Sequence, residues 1–135
     1  MDSTDNLVNA FADAVNRNDA ASIAAVLHDD FVDHTPNPGQ SPGRDGFVME
    51  KILQLRRAFP DLVLIVDDVL MDGDRVAFRW TLTGTNDGPF AGGEPSGTAV
   101  RFQGVNIERI EHGRIIEHWS VYDAIALFHQ LGRLG

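Results

Sequence analysis

The sequence predicts an α+β domain: a cone in which a strongly curved antiparallel sheet wraps around N-terminal helices and encloses an apolar pocket. Three observations carry this. Up to Phe59 the apolar residues recur every three or four positions, as on one face of a helix. From Leu62 onward the period drops to two, that of a pleated strand. Two turn signals, Asp72-Gly73 and His112-Gly113, then fold long strands back on their neighbours. Helices gathered at one end of a strand meander make an α+β architecture, and a twisted sheet curling around the longest helix leaves an interior space.

The elements follow in order. Residues 3–17 form an amphipathic helix with Leu7, Phe11, Ala14 and Val15 on one face and Ser3 or Thr4 as its cap. Asp19 caps a second, short helix with Ile23, Val26 and Leu27 inward. A short strand covers about 30–34, and the Pro/Gly-rich loop 35–43 has to be irregular. Ser41-Pro42 opens a third helix, with Val48, Ile52, Leu55 and Phe59 on one side, which Pro60 ends. Strands then run over 62–71, 75–85 and 97–110, the last two separated by a glycine-rich loop, 86–96, that reads as a lid over the pocket. The strand from Gly113 runs into a closing helix whose Ala124, Leu127, Phe128 and Leu131 share a face and which Gly132 stops. No repeat or linker divides residues 1–135, so one domain is expected.

Composition narrows the function. Twenty acidic residues against 11 basic ones give a net charge of −9, with no basic run, which argues against nucleic acid and anionic membranes as partners. There is no cysteine, hence no disulfide framework and no thiolate nucleophile. The longest apolar run, 62–66, is too short to span a bilayer, and the polar, acidic start MDSTDN is unlike a secretory signal, so a soluble cytoplasmic protein is expected. His28, Asp30 and His34 share a strand parity, but roughly 20 Å of extended chain separates the two histidines. No metal site is expected.

Several segments together resemble the SnoaL-like polyketide cyclase family, within the nuclear-transport-factor-two/ketosteroid-isomerase-like superfamily. They are Phe31-Val32-Asp33-His34 before the Pro/Gly loop, the segment 79–85 (RWTLTGT), Phe90-Ala91-Gly92, Pro95-Ser96-Gly97, and the segment 113–119 (GRIIEHW) followed by Asp123 and Gln130-Leu131-Gly132. The resemblance spans nearly the whole chain in the right order. One departure is Asn86, in a segment where members often carry a histidine. The resemblance implies a curved sheet, a deep apolar pocket, often a homodimer, and ring closure by an intramolecular aldol reaction without metal or cofactor. It also implies that the acidic residue at the position of Asp123 acts as acid/base.

Read from the residues, Asp123 stands where a strand meets a helix, near Trp119, Tyr122 and Phe128. It is either the helix N-cap or a proton-transfer group at the inner end of the strand. His34 ends the early strand; a neutral imidazole there can donate to a substrate carbonyl or steady Asp123, or it is a half-buried histidine bonded to a loop carbonyl. His118 alternates away from Asp123, which points it to the sheet surface or an interface. Gln103 and Asn106 lie on opposite faces of one strand, and either can stabilise an enolate oxygen. Trp80, Phe90 and Trp119 are candidate pocket walls, though a tryptophan in a small domain is also plain core. Arg79 suggests a water-activating Asp–Arg–Asp set of the epoxide-hydrolase kind, but Thr81 stands where the second aspartate belongs. Two function classes result: a small cofactor-free enzyme acting on an apolar carbonyl compound, either by an aldol-type cyclisation or isomerisation or by epoxide hydration, and a non-catalytic module that holds a hydrophobic ligand. A homodimer is expected through the outer face of the sheet, because an open sheet with apolar residues on both faces cannot cover both with its own helices.

Overall fold

The computed structural model describes residues 3–134 and, within the first helix, side chains from Asn6 onward, so the candidate caps Ser3 and Thr4 lie outside the described side chains. The elements are α1 (Ser3–Asn16), α2 (Ala20–Ala25), β1 (Leu27–Asp33), α3 (Gly43–Asp45), α4 (Leu53–Ala58), β2 (Val63–Asp72), β3 (Arg75–Thr85), β4 (Ala99–Glu111), β5 (Arg114–Tyr122) and α5 (Ala124–Gln130). A π-helical stretch, Gly46–Ile52, joins α3 to α4 into one continuous third helix. The five strands make one curved, unclosed sheet in the order β1-β5-β4-β3-β2. All neighbours are antiparallel except β1, which runs parallel to β5 along the edge.

Local chemistry explains most boundaries. Asp19 accepts the Ser22 N–H and caps α2. Ser41, by contrast, does not cap the third helix: its backbone N–H donates to Glu50, and Pro42 occupies the cap position. The His112-Gly113 turn has φ of 52° and 74°, the left-handed pair that a two-residue hairpin requires. Two β-bulges, between Val66 and Asp68 and between Arg109 and Ile110, bend the long strands.

The core lies between the inner face of the sheet and the helices, built on Phe11, Phe31, Phe47, Phe59, Phe78 and Phe102. Hydrogen bonds fix the helices to the sheet edge and to one another. Asn16 of α1 both donates to and accepts from the Leu64 backbone, and Arg56 of α4 donates to the Val15 carbonyl at 2.6 Å. Among the described residues no helix covers the outer face of the sheet, which exposes Val63, Ile65, Val105, Ile107 and Val121.

Candidate active site

Between helices and sheet the core opens into a cavity of about 700 Å³, within the size range of small-molecule sites. Its floor is apolar and buried: Phe11, Phe47, Trp80, Leu82 and Phe102. Its mouth lies between the exposed Asn37 and Pro38, Gln54 and Arg57 of α4, and Pro89 to Gly92.

The alternation of β4 decides which polar groups reach the cavity. Phe102, Gly104, Asn106 and Glu108 are buried while Gln103, Val105 and Ile107 are exposed. Gly104 is required here: a Cβ at that position would overlap the indole of Trp80, which crosses above it. The indole N–H donates to Asn106 Oδ1 at 2.8 Å, so the buried amide is held in one orientation. On β5, His118 and Ser120 line the cavity along with the half-exposed Tyr122.

The centre of the site is a cross-strand pair. Glu108 lies opposite His118, both almost fully buried, at 2% and 3% exposure. His118 Nδ1 lies 2.7 Å from Glu108 Oε1 and 3.0 Å from Oε2. Burial pushes the Glu108 carboxyl above its ordinary range, against the attraction of His118 and hydrogen bonding from His118 and Asn106. His118 Nε2 makes no hydrogen bond to protein, yet among the described residues no enclosed side-chain N or O atom lacks a partner. Nε2 therefore opens onto the cavity that the ring lines. The Phe47 ring packs edge-on against this imidazole with centroids 4.9 Å apart.

Lys51, from the π-helical stretch, also meets Phe47, its ammonium 5.7 Å from the ring centroid. It donates to Asp33 Oδ2 at 3.0 Å and to the Thr35 carbonyl at 2.8 Å. An ammonium has three hydrogens, which leaves one for the cavity. The Asp33 side chain is 3% exposed. Burial raises its pKa, but bonds from Gln40, Thr35 and Lys51 outweigh that and hold it below the ordinary aspartate value.

Of the side chains singled out from sequence, Trp80, Phe90 and Asn106 line the cavity. The others do not. Gln103 faces outward beside Thr81, because the inward parity of β4 belongs to Phe102 and Asn106. Trp119 and His34 are stacked on the outer face, 4.6 Å apart, and His34 Nε2 bonds Glu117 at 2.9 Å. Asp123 has the same outward parity: it is exposed, and its carboxylate accepts the Ala126 N–H at 3.0 Å as the N-cap of α5. His118, expected on a surface, is instead the buried partner of Glu108. Arg79 meets two aspartates after all, Asp68 at 2.6 Å and Asp67 at 3.7 Å, but on the outer face, away from the cavity. The loop after β3 is clasped rather than free. Asn86 bonds Ala58, Gly88 and Ser96, and Arg133 donates to the carbonyls of Phe90 and Ala91.

Among the described residues one group has the make-up of a metal site: His28, Glu111 and His112, at the far end of the β4–β5 hairpin. His28 Nδ1 accepts the Asp30 N–H at 2.9 Å, so in the neutral ring Nε2 carries the proton and points a donor, not a lone pair, at Glu111. That is poor preparation for a metal ion. No described helix is long and apolar enough to cross a membrane.

The family model for SnoaL-like polyketide cyclases matches residues 5–131. Solved structures agree in fold. TsrD from Streptomyces laurentii superposes with a TM-score of 0.90 at 31% identity, covering 99% of each chain. AclR from Streptomyces galilaeus, described as a candidate hydroxylase, gives 0.84 at 31% identity over 96% of this chain and 81% of its own. IdmH from Streptomyces antibioticus, described as a candidate polyketide cyclase, gives 0.83 at 28% identity over 98% of this chain and 99% of its own. No curated protein matches.

Proposed function

The chain belongs to the SnoaL-like polyketide cyclase family, and from that membership we propose that it is a cofactor-free acid/base enzyme, which closes a ring in, or isomerises, an apolar carbonyl compound. The observation that carries this reading is His118: an imidazole with one nitrogen held by a buried carboxylate and the other open to an apolar cavity. With Glu108 ionised and accepting from Nδ1–H, Nε2 presents a lone pair. It takes a proton from the carbon next to the substrate carbonyl, and the C–H electron pair becomes an enolate. The free hydrogen of Lys51 meets the charge on the enolate oxygen. The enolate carbon attacks a second carbonyl of the same molecule, the new C–C bond forms, and the alkoxide takes its proton back from Nε2. Trp80, Phe90 and Asn106 serve as substrate contacts. The acid/base role that the family resemblance implies for Asp123 is assigned here to His118. The homodimer implied by the family is proposed to form through the uncovered outer face of the sheet.

Proton abstraction can be read without the natural substrate. In D2O the α-hydrogens of 2-tetralone, an apolar ketone, should exchange faster with the protein present. His118→Gln should remove that acceleration by on the order of 10²-fold or more, as for a lost general base. Exchange no faster than in buffer, or equal in the variant, would overturn the enzymatic reading and leave a ligand-binding module.

A further inference from the structure

The cavity has a charge unlike that of the chain. The chain carries −9 overall, yet among the described residues no aspartate or glutamate lines the cavity, while Lys51 and Arg57 both do. Lys51 is paired with the buried Asp33. Arg57 is different: it sits exposed at the mouth and has no ion-pair or hydrogen-bond partner among the described residues. Two acids in the segments flanking it are engaged elsewhere: Glu50 accepts the Ser41 N–H, and Asp61 accepts from Thr85. We infer that the substrate is an amphiphilic acid, an apolar ring-bearing skeleton with a carboxylate, which enters with the carboxylate trailing and is bound there by Arg57. The planar guanidinium suits a carboxylate through two parallel N–H···O bonds. Arg57 lies six residues beyond Lys51 on one continuous helix, an axial rise of ~9 Å. A carboxylate on Arg57 therefore places a carbonyl roughly that far along the skeleton beside Lys51 and His118, and the mouth contact orients the reacting end.

The inference rests on the cavity being the substrate site, and it is tested by binding, independently of turnover. Equilibrium dialysis would compare 2-naphthoate with its neutral isostere 2-naphthamide, quantified by absorbance, at low salt. Wild type should prefer the naphthoate on the order of tenfold, as a charge-assisted hydrogen bond supplies. Arg57→Gln should bind the two equally, and Arg57→Lys should recover part of the preference. His118→Gln should lose α-hydrogen exchange yet keep the carboxylate preference, so the two readings fail separately. Equal affinities in wild type, a preference that survives Arg57→Gln, or no binding of either compound at millimolar concentration would overturn the inference.

Discussion

Glu108 and His118 hold one proton between them, and its position sets what the cavity meets. With the pair carrying that proton on Nδ1, Nε2 is a base; with a second proton added, Nε2–H is an acid, whichever partner is formally charged. Burial raises Glu108, so the pair gains its second proton above the ordinary carboxylate range. Exchange of 2-tetralone should therefore rise with pH through that titration. Glu108→Gln removes the carboxylate that holds the imidazole Nδ1–H, so the exchange rate should fall about 10- to 100-fold at neutral pH, which the exchange assay would reveal. Asp123 makes the opposite case. Its carboxylate only caps α5, so Asp123→Asn should leave exchange and melting temperature unchanged, while Asp123→Ala should cost about 1 kcal/mol in denaturant unfolding. Equal losses in the Asn and His118→Gln variants would reverse these assignments. The strand-to-helix junction was legible in the sequence, and so was the opposite parity of His118 and Asp123. Which parity faces inward was not, since both faces of β5 carry apolar residues.

At the scale of elements, the pairing of Glu108 with His118 depends on a bulge. Counting outward from the His112-Gly113 turn, a regular ladder sets Glu108 against Glu117; the irregularity between Arg109 and Ile110 shifts the register by one and brings His118 opposite instead. Nothing in the local sequence announces such an extra residue, which is why the dyad escaped a reading by periodicity although all five strands were expected, β1 beginning at Leu27 rather than near residue 30 and the first turn falling on Gly73-Asp74, one residue beyond its expected place. The π-helical stretch is a similar case. An apolar pattern at helical spacing reads as plain α-helix, but the wider turn carries Phe47, Lys51 and Ile52 onto the cavity. What alternation alone did give was the division of β4 into a Phe102/Asn106 side and a Gln103/Val105/Ile107 side. Gly104 belongs to the first side and makes room for Trp80. Gly104→Ala should displace the indole, break its bond to Asn106, and destabilise the fold by roughly 1–3 kcal/mol, an overpacking cost. Denaturant unfolding with a shifted Trp80 emission is the expected signature; an unchanged midpoint would mean that the sheet yields at no cost.

Across the whole molecule, the buried charges make acid stability a property of the site. Asp33 has its pKa held below the ordinary aspartate value in the fold, so its contribution is present above the unfolded value and is lost as pH falls through the lower, folded one. Glu108, raised in the fold, has the opposite sign: its contribution is present below the ordinary glutamate value and fades as pH rises from there to the raised one. Asp33→Asn should flatten the acid limb of the melting curve, and it should also cost about 3 kcal/mol near neutrality because Lys51 would lose its buried partner. The outer face of the sheet poses a separate question of assembly. Ile107 pairs with Trp119 and Val105 with Val121, and these residues continue toward Ile65 across the sheet, with Val105 39%, Ile107 41% and Val121 69% exposed. Arg79 and Asp68 share that face at 44% and 61% side-chain exposure. A two-fold axis through such a face is self-complementary, since each copy offers apolar residues to the other and a cation where its partner offers an acid. A stable pair needs roughly 800 Å² buried per partner, which a face of five strands can supply. Sedimentation at micromolar concentration should give a species of twice the 14.8 kDa chain mass. Val121→Asp puts a charge amid that face but leaves the cavity untouched, so it should yield a monomer that still exchanges 2-tetralone. A wild-type monomer, or a dimer indifferent to Val121→Asp, would exclude this face as the interface.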